Sequence, residues 1–189
     1  MSVNDKAGEL FDVREFGALG DGRTDDTVAI QAGVDACAAA GGGIVRLHRG
    51  TFVSGGVRLR SHVEFRLTSS AVLRGAAEVA SYVPDERVPY PWINRSLLFA
   101  EDCEHVAVSG SGVIDGGGIQ FGTAEGNVRP VAVRLRGCRE VRISDALVKD
   151  AAAFAVHLIQ CRQVRVEGLR IDSQVRPNND GLDIDGCQG

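Results

Sequence analysis

The chain has 189 residues, of which 44% are hydrophobic and 5% aromatic, with a formal net charge of −4. That length suits one domain with a sizeable core, and the hydrophobic share excludes a disordered chain. An acidic balance with no basic block argues against nucleic acid as a partner, because phosphate binding relies on clustered Lys and Arg.

Residues 1–10 are expected to form a flexible lead. They hold no apolar signal segment, and no run in the chain is long enough to span a membrane, so no membrane partner is expected. As written, the chain is expected in the cytoplasm, and secretion would need a different start. Residues 11–16 read as an opening strand and residues 17–22 as a glycine-rich turn. Thr24, Asp25 or Asp26 is expected to cap a helix running from about Thr24 to Ala40, since their side-chain oxygens can accept from its free N–H groups. Val28, Ile30, Val34, Cys37 and Ala38 share one face of that helix, and Gly41 to Gly43 end it. Short strands follow at 44–47, 51–53, 57–59 and 63–67. Residues 82–96 concentrate both Tyr residues, the single Trp and three of the five Pro, which marks a long loop leaving the regular path. Residues 116–130 form a second, glycine-rich excursion.

The second half carries a repeated phrase. Cys103-Glu104-His105-Val106-Ala107-Val108 returns from Cys138 and again from Cys161, and a fourth copy begins at Cys187. Cys138 and Cys161 stand 23 residues apart, a period typical of stacked architectures. Within each copy apolar and polar residues alternate, as in a strand. The pattern predicts an all-β chain, a parallel β-solenoid whose first coil is covered by the helix, because a terminal coil must be capped. The four repeated cysteines are expected to form one interior column of free thiols, behaving as small apolar residues. No Cys-x-x-Cys pair occurs, and neither metal nor cofactor is expected. Asp150 and Asp172 close similar phrases 22 residues apart and are expected to stack at one corner.

Acidic residues are densest at residues 178–185. With Leu182 and Ile184 in the core, alternation sends Asp183 and Asp185 outward together, while Asp180 lies at the loop-to-strand transition beside Gly181. Neighbouring carboxylates of this kind raise each other's pKa and can share proton transfer. By spacing alone, though, Asn-Asp-Gly is first a turn sequence.

Several motifs together resemble a known family. Residues 16–27 and 29–31, Gly42-Gly43-Ile44-Val45 and Gly50-Thr51-Phe52 resemble the opening of the pectate-lyase-like superfamily. Gly110-Ser111-Gly112-Val113-Ile114-Asp115-Gly116, Arg129-Pro130 and the segment from Asn178 to Asp183 resemble, in order, motifs of the polygalacturonases, glycoside hydrolase family 28. The resemblance implies a right-handed parallel β-helix that hydrolyses galacturonide bonds in pectin with inversion. In that chemistry an acid protonates the leaving oxygen, and carboxylates about 6.5–9.5 Å away activate water. It implies that Asp180 is a water-activating aspartate and that Asn178 and Asp183 shape substrate binding. His157, one coil earlier, could line the same cleft. The expected ligand is a pectic polysaccharide or oligogalacturonide.

The sequence departs from the family in three places. Asn179 stands where Thr is usual, and Ala155 where a bulky aromatic is usual. The family's later Asp-Asp, Gly-His-Gly and Arg-x-Lys motifs do not occur among the 189 residues. The chain is therefore expected to be a single β-helix domain over 1–189, an N-terminal part lacking the general acid. It is expected to be inactive alone and prone to self-association through an open last coil. A competing reading is a non-catalytic β-helix, such as a carbohydrate-binding or tailspike-like module. A second is a Ca²⁺-dependent lyase, for which no basic proton abstractor is identifiable. Tyr90 or Trp92 is expected to border the sugar groove.

Overall fold

The computed structural model describes residues 8–124 and 126–189. Its strands all pair in parallel and build three sheets, with successive coils contributing one strand to each sheet in turn. The result is a right-handed parallel β-helix with an N-terminal capping helix. The first sheet stacks Leu10–Asp12, Gly43–Leu47, Val63–Leu67, Glu104–Ser109, Arg139–Ser144 and Arg162–Glu167. A second runs from Asp21–Asp25 through Gly50–Ser54, Ala71–Gly75, Val113–Asp115 and Leu147–Lys149 to Arg170–Asp172. The third, which carries the candidate site, stacks Val57–Arg58, Ser96–Glu101, Val131–Arg136, Val156–Ile159 and Leu182–Asp185.

Strand alternation explains the core. In Val63–Leu67, Val63, Phe65 and Leu67 are fully buried while Glu64 and Arg66 face outward. Phe52 and Phe65 are the bulkiest residues inside, and truncating either to Ala would cost ~3–5 kcal/mol. The strand Ala71–Gly75, which follows the same rule with Ala71 and Leu73 inward, was not among the expected elements.

The repeated cysteine phrase is a corner followed by a strand. The residue before each Cys has positive φ: Asp102 (52°), Gly137 (62°), Gln160 (52°) and Gly186 (62°). So does the second residue after three of them, His105, Glu140 and Gln163. At Gly137 a Cβ would lie 2.3 Å from Asp102 Oδ1, so a larger residue there would push that carboxylate aside and adopt the left-handed φ that glycine takes freely. Cys103, Cys138, Cys161 and Cys187 stack as expected, with the amides of Arg139, Arg162 and Gln188 each donating to the preceding copy's Cys carbonyl at 2.9 Å. All are free thiols. Cys138 and Cys161 are buried, while Cys103 and Cys187 are half-buried.

Several expectations are corrected. Of the lead, residues 1–7 lie outside the described residues, while the Glu9 carbonyl accepts from the Ile44 amide at 2.8 Å and Leu10 pairs with Ile44. The opening strand stops at Asp12, and Val13–Phe16 forms a 3-10 turn. Asp12 causes this by accepting from the Arg14 amide at 3.0 Å. The helix spans Thr27–Ala39, because Thr24 belongs to the strand Asp21–Asp25. Asp26 occupies its N-cap, yet its carboxylate accepts from the Leu19 and Gly20 amides at 2.7 and 3.0 Å. The Asp25 carboxylate takes the Thr27 amide instead. Ile30, Val34 and Cys37 are fully buried over the first coil, but Val28 is 82% exposed. Asp172 pairs with Lys149 rather than with Asp150, so the true offset is 23 residues.

Candidate functional site

The third sheet points one column of side chains outward along the stacking axis: Arg58, Phe99, Arg134, His157 and Asp183. A second column holds Glu101, Arg136, Ile159 and Asp185. Asp183 and Asp185 thus lie together on the outer face, but Leu182 and Ile184, expected in the core, are 40% and 59% exposed, because their strand is the outermost of its sheet. His157 Nε2 lies 3.6 Å from Asp183 Oδ2. Burial lowers the His157 pKa and the Arg134 charge lowers it further, outweighing Asp183 and Asp185, so its imidazole favours the neutral form.

The loop over residues 82–95 lies across this face. It closes on itself where the Asp85 amide donates to the Asn94 carbonyl at 2.7 Å. The Asp85 carboxylate meets Arg136 at 2.5 Å, and Arg136 also reaches Glu101 at 3.0 Å. Arg87 pairs with Glu101 and, at 3.1 Å, with Asp102. Burial alone would raise the Asp85 pKa, but the Arg87 amide and the Arg136 guanidinium hold it below the usual range. All six residues of Val131–Arg136 are buried, Ala132, Val133 and Leu135 in the main core and Arg134 and Arg136 against the loop. Arg134, 2% exposed, donates to Ser96 Oγ at 3.0 Å and to the Ile93 carbonyl at 2.5 Å, and burial brings its pKa down to about 10.

Between loop and sheet runs a groove of about 710 Å³, with Arg87, Tyr90 and Trp92 on one wall and His157, Asp183 and Asp185 on the other. Trp92 meets Phe154 edge to face at 6.1 Å, and Phe154 meets His157 at 5.3 Å. An aromatic side chain is therefore present despite Ala155, offset by one residue. The Arg129 guanidinium lies 4.8 Å from the Trp92 ring and donates to the Pro177 carbonyl at 2.6 Å, tying the loop to the segment before Asn178.

Asp180 and Asn178 are exposed and do not line this groove. The Asp180 carbonyl accepts from the Ala155 amide at 2.8 Å, one coil earlier. Asn179 explains how its neighbour is held. Its amide donates to the Ala151 and Ala153 carbonyls, and its oxygen accepts from Ser173 Oγ at 2.7 Å. A threonine could not make all three bonds. Asn178 adopts φ 53°, a conformation Asn tolerates. The structure thus joins His157 with Asp183 directly and brings Asp180 to the same face only through the backbone. Arg134, Arg136, Phe154 and Asp85 escaped the sequence reading, and Arg129 entered it only as part of a family motif. The coil offset, which carries Arg134 onto His157, was the signal that could have found the first. Among the described residues, no group of three or more His, Cys, Asp or Glu is placed to hold a metal.

A family model described as "Glycosyl hydrolases family 28" matches residues 54–189. A probable polygalacturonase of Vitis vinifera is 28% identical over 191 residues, covering 92% of this chain and 39% of the relative. The chain thus spans about two-fifths of the length of that relative. Among solved structures, the family 28 exopolygalacturonase of Yersinia enterocolitica superposes with a TM-score of 0.82 at 25% identity, over 93% of this chain and 41% of that one. An exopolygalacturonase of Thermotoga maritima gives a TM-score of 0.81 at 24% identity, over 98% and 51%, and shows the shared fold alone.

Proposed function

This chain belongs to glycosyl hydrolase family 28, and from that membership we propose that it forms part of a polygalacturonase-type hydrolase that binds a galacturonide chain and supplies a water-activating carboxylate. The observation that carries the proposal is the groove on the third sheet, where His157 and Asp183 stand in register beside the segment holding Asp180. Membership favours a hydrolase over a non-catalytic β-helix, since the matched region includes that segment.

Each residue has a physical task in this reading. Asp180 is exposed, so its carboxylate is free to take a proton from an attacking water. Its backbone is fixed by Ala155, and Asn179 fixes the loop beside it, which keeps the carboxylate from drifting between coils. His157, held neutral by burial, stands with Nε2 3.6 Å from the Asp183 carboxylate and packs beside it in register, which helps hold that carboxylate toward the groove. Asn178 presents an exposed amide at the turn before Asp180 and serves substrate binding. Phe154 and Trp92 supply apolar faces of the kind that pack against sugar rings.

The test is calorimetric binding of oligogalacturonides, joined to reducing-sugar release from polygalacturonate. Asp183→Ala and His157→Ala should weaken binding. In the complete hydrolase of which this chain would form part, Asp180→Asn should leave binding nearly intact while cutting hydrolysis by ~10²-fold or more. A protein that neither binds oligogalacturonide nor releases reducing sugar overturns the proposal, and hydrolysis at an unchanged rate in Asp180→Asn overturns the role of that residue.

A further inference from the structure

We propose that the loop over residues 82–95 is a wall across the groove, so that the site receives the end of a uronide chain rather than its middle. This rests on the uronide-binding reading above and deepens it. The groove follows the stacking axis, because its floor is built from residues of successive coils, Arg136, His157 and Asp183. A polysaccharide lying along it toward the first coils meets Val131–Arg136. There the outward side chains are taken up by the loop: Arg136, the last residue of the floor, is paired with Asp85, and Arg134, 2% exposed, donates to the Ile93 carbonyl. Open space reappears on the far side, between the loop and the helix Thr27–Ala39, around Gln31, Arg58 and Phe99. Arg87 borders both spaces, which places the loop as the partition between them.

The wall is a fixed structure. Asp85 and Arg87 bind it to Arg136, Glu101 and Asp102 on two successive coils. The Ile93 carbonyl accepts from Arg134, and the Trp92 carbonyl accepts from the Arg129 amide at 2.7 Å. Val88 and Ile93 pack with Val131 and Ala153 in a small apolar cluster beneath it. Several charge-assisted bonds and a dry underside hold the loop in place, so a passing chain would have to displace all of them at once.

The test compares pentagalacturonate with a polygalacturonate of about fifty residues, both titrated calorimetrically into the intact protein. A site that accepts only chain ends binds the two alike per molecule, hence the polymer about tenfold more weakly per uronide residue, the ratio of their ends. In a variant with residues 86–91 replaced by two glycines, that tenfold difference should vanish. Should the variant fail to fold, the unmodified protein still decides: polymer binding as tightly per residue as the pentamer overturns the wall while leaving uronide binding intact. A folded variant that keeps the tenfold preference also overturns it. Failure of both ligands to bind the unmodified protein overturns the uronide reading and the wall with it.

Discussion

The first and third sheets are built from the same coils by the same alternation, yet their outer faces differ. On the first sheet no loop covers the charged residues: exposed Arg139 pairs with Glu104 on the neighbouring strand at 2.9 Å, Arg142 reaches the half-buried Glu64 at 3.0 Å, and Arg66 meets Glu64 within their own strand at 2.8 Å. On the third, the outer residues of Val131–Arg136 are buried and pair with a loop from elsewhere in the chain. Identical ladder chemistry thus produces a solvated surface in one place and a walled groove in the other. The difference lies in where the excursion after the strand Ala71–Gly75 comes to rest. Exposed ion pairs contribute little because water and salt screen them, whereas a covered pair becomes costly once one partner is removed.

The sharpest way to break this contrast is Arg136→Ala. It removes one of the two cations, Arg136 and Arg87, that the Asp85 and Glu101 carboxylates share, and should cost ~2 kcal/mol, read as a lower urea midpoint. A smaller effect comes from His157. Its folded pKa is depressed chiefly by burial, so between that value and the ordinary 6.5 the unfolded chain binds more protons. Stability should therefore fall as pH drops below about 6.5, and His157→Gln should flatten the decline of the denaturation midpoint between about pH 7.5 and 5. A decline as steep in the variant would place the titrating group elsewhere. The smallest effect belongs to the first sheet, where Arg139→Ala should leave the urea midpoint unshifted within error. A shift as large as that of Arg136→Ala would erase the distinction between the two faces.

Much of the fold was legible in the residues. The Cys phrases foretold the coil and its thiol column, the Ile30, Val34 and Cys37 spacing foretold the cap, and the segment from Asn178 to Asp183 carried the family. These signals are local: alternation and turn preference act over a few residues, and stacking repeats them. Boundaries depending on one side chain were read less well. Asp12 bends the opening strand into a 3-10 turn, and Asp26 spends its carboxylate on the Leu19–Gly20 loop instead of the helix.

The sequence by itself therefore determined the solenoid, its buried column and the candidate carboxylates, because a period of two along strands and a coil repeat of 23 residues leave few other ways to bury these side chains. Only the tertiary structure decided which outer face is covered, that Arg134 and Arg136 lie beneath a loop, and that His157 meets Asp183 at the mouth of a groove. The physical reason is range. Asp85 and Arg136 are 51 residues apart in the chain and Arg134 and Ile93 are 41, so no local pattern encodes their contact. It follows from the landing place of an excursion on the stacked coils, which is set by packing and charge pairing across the whole fold.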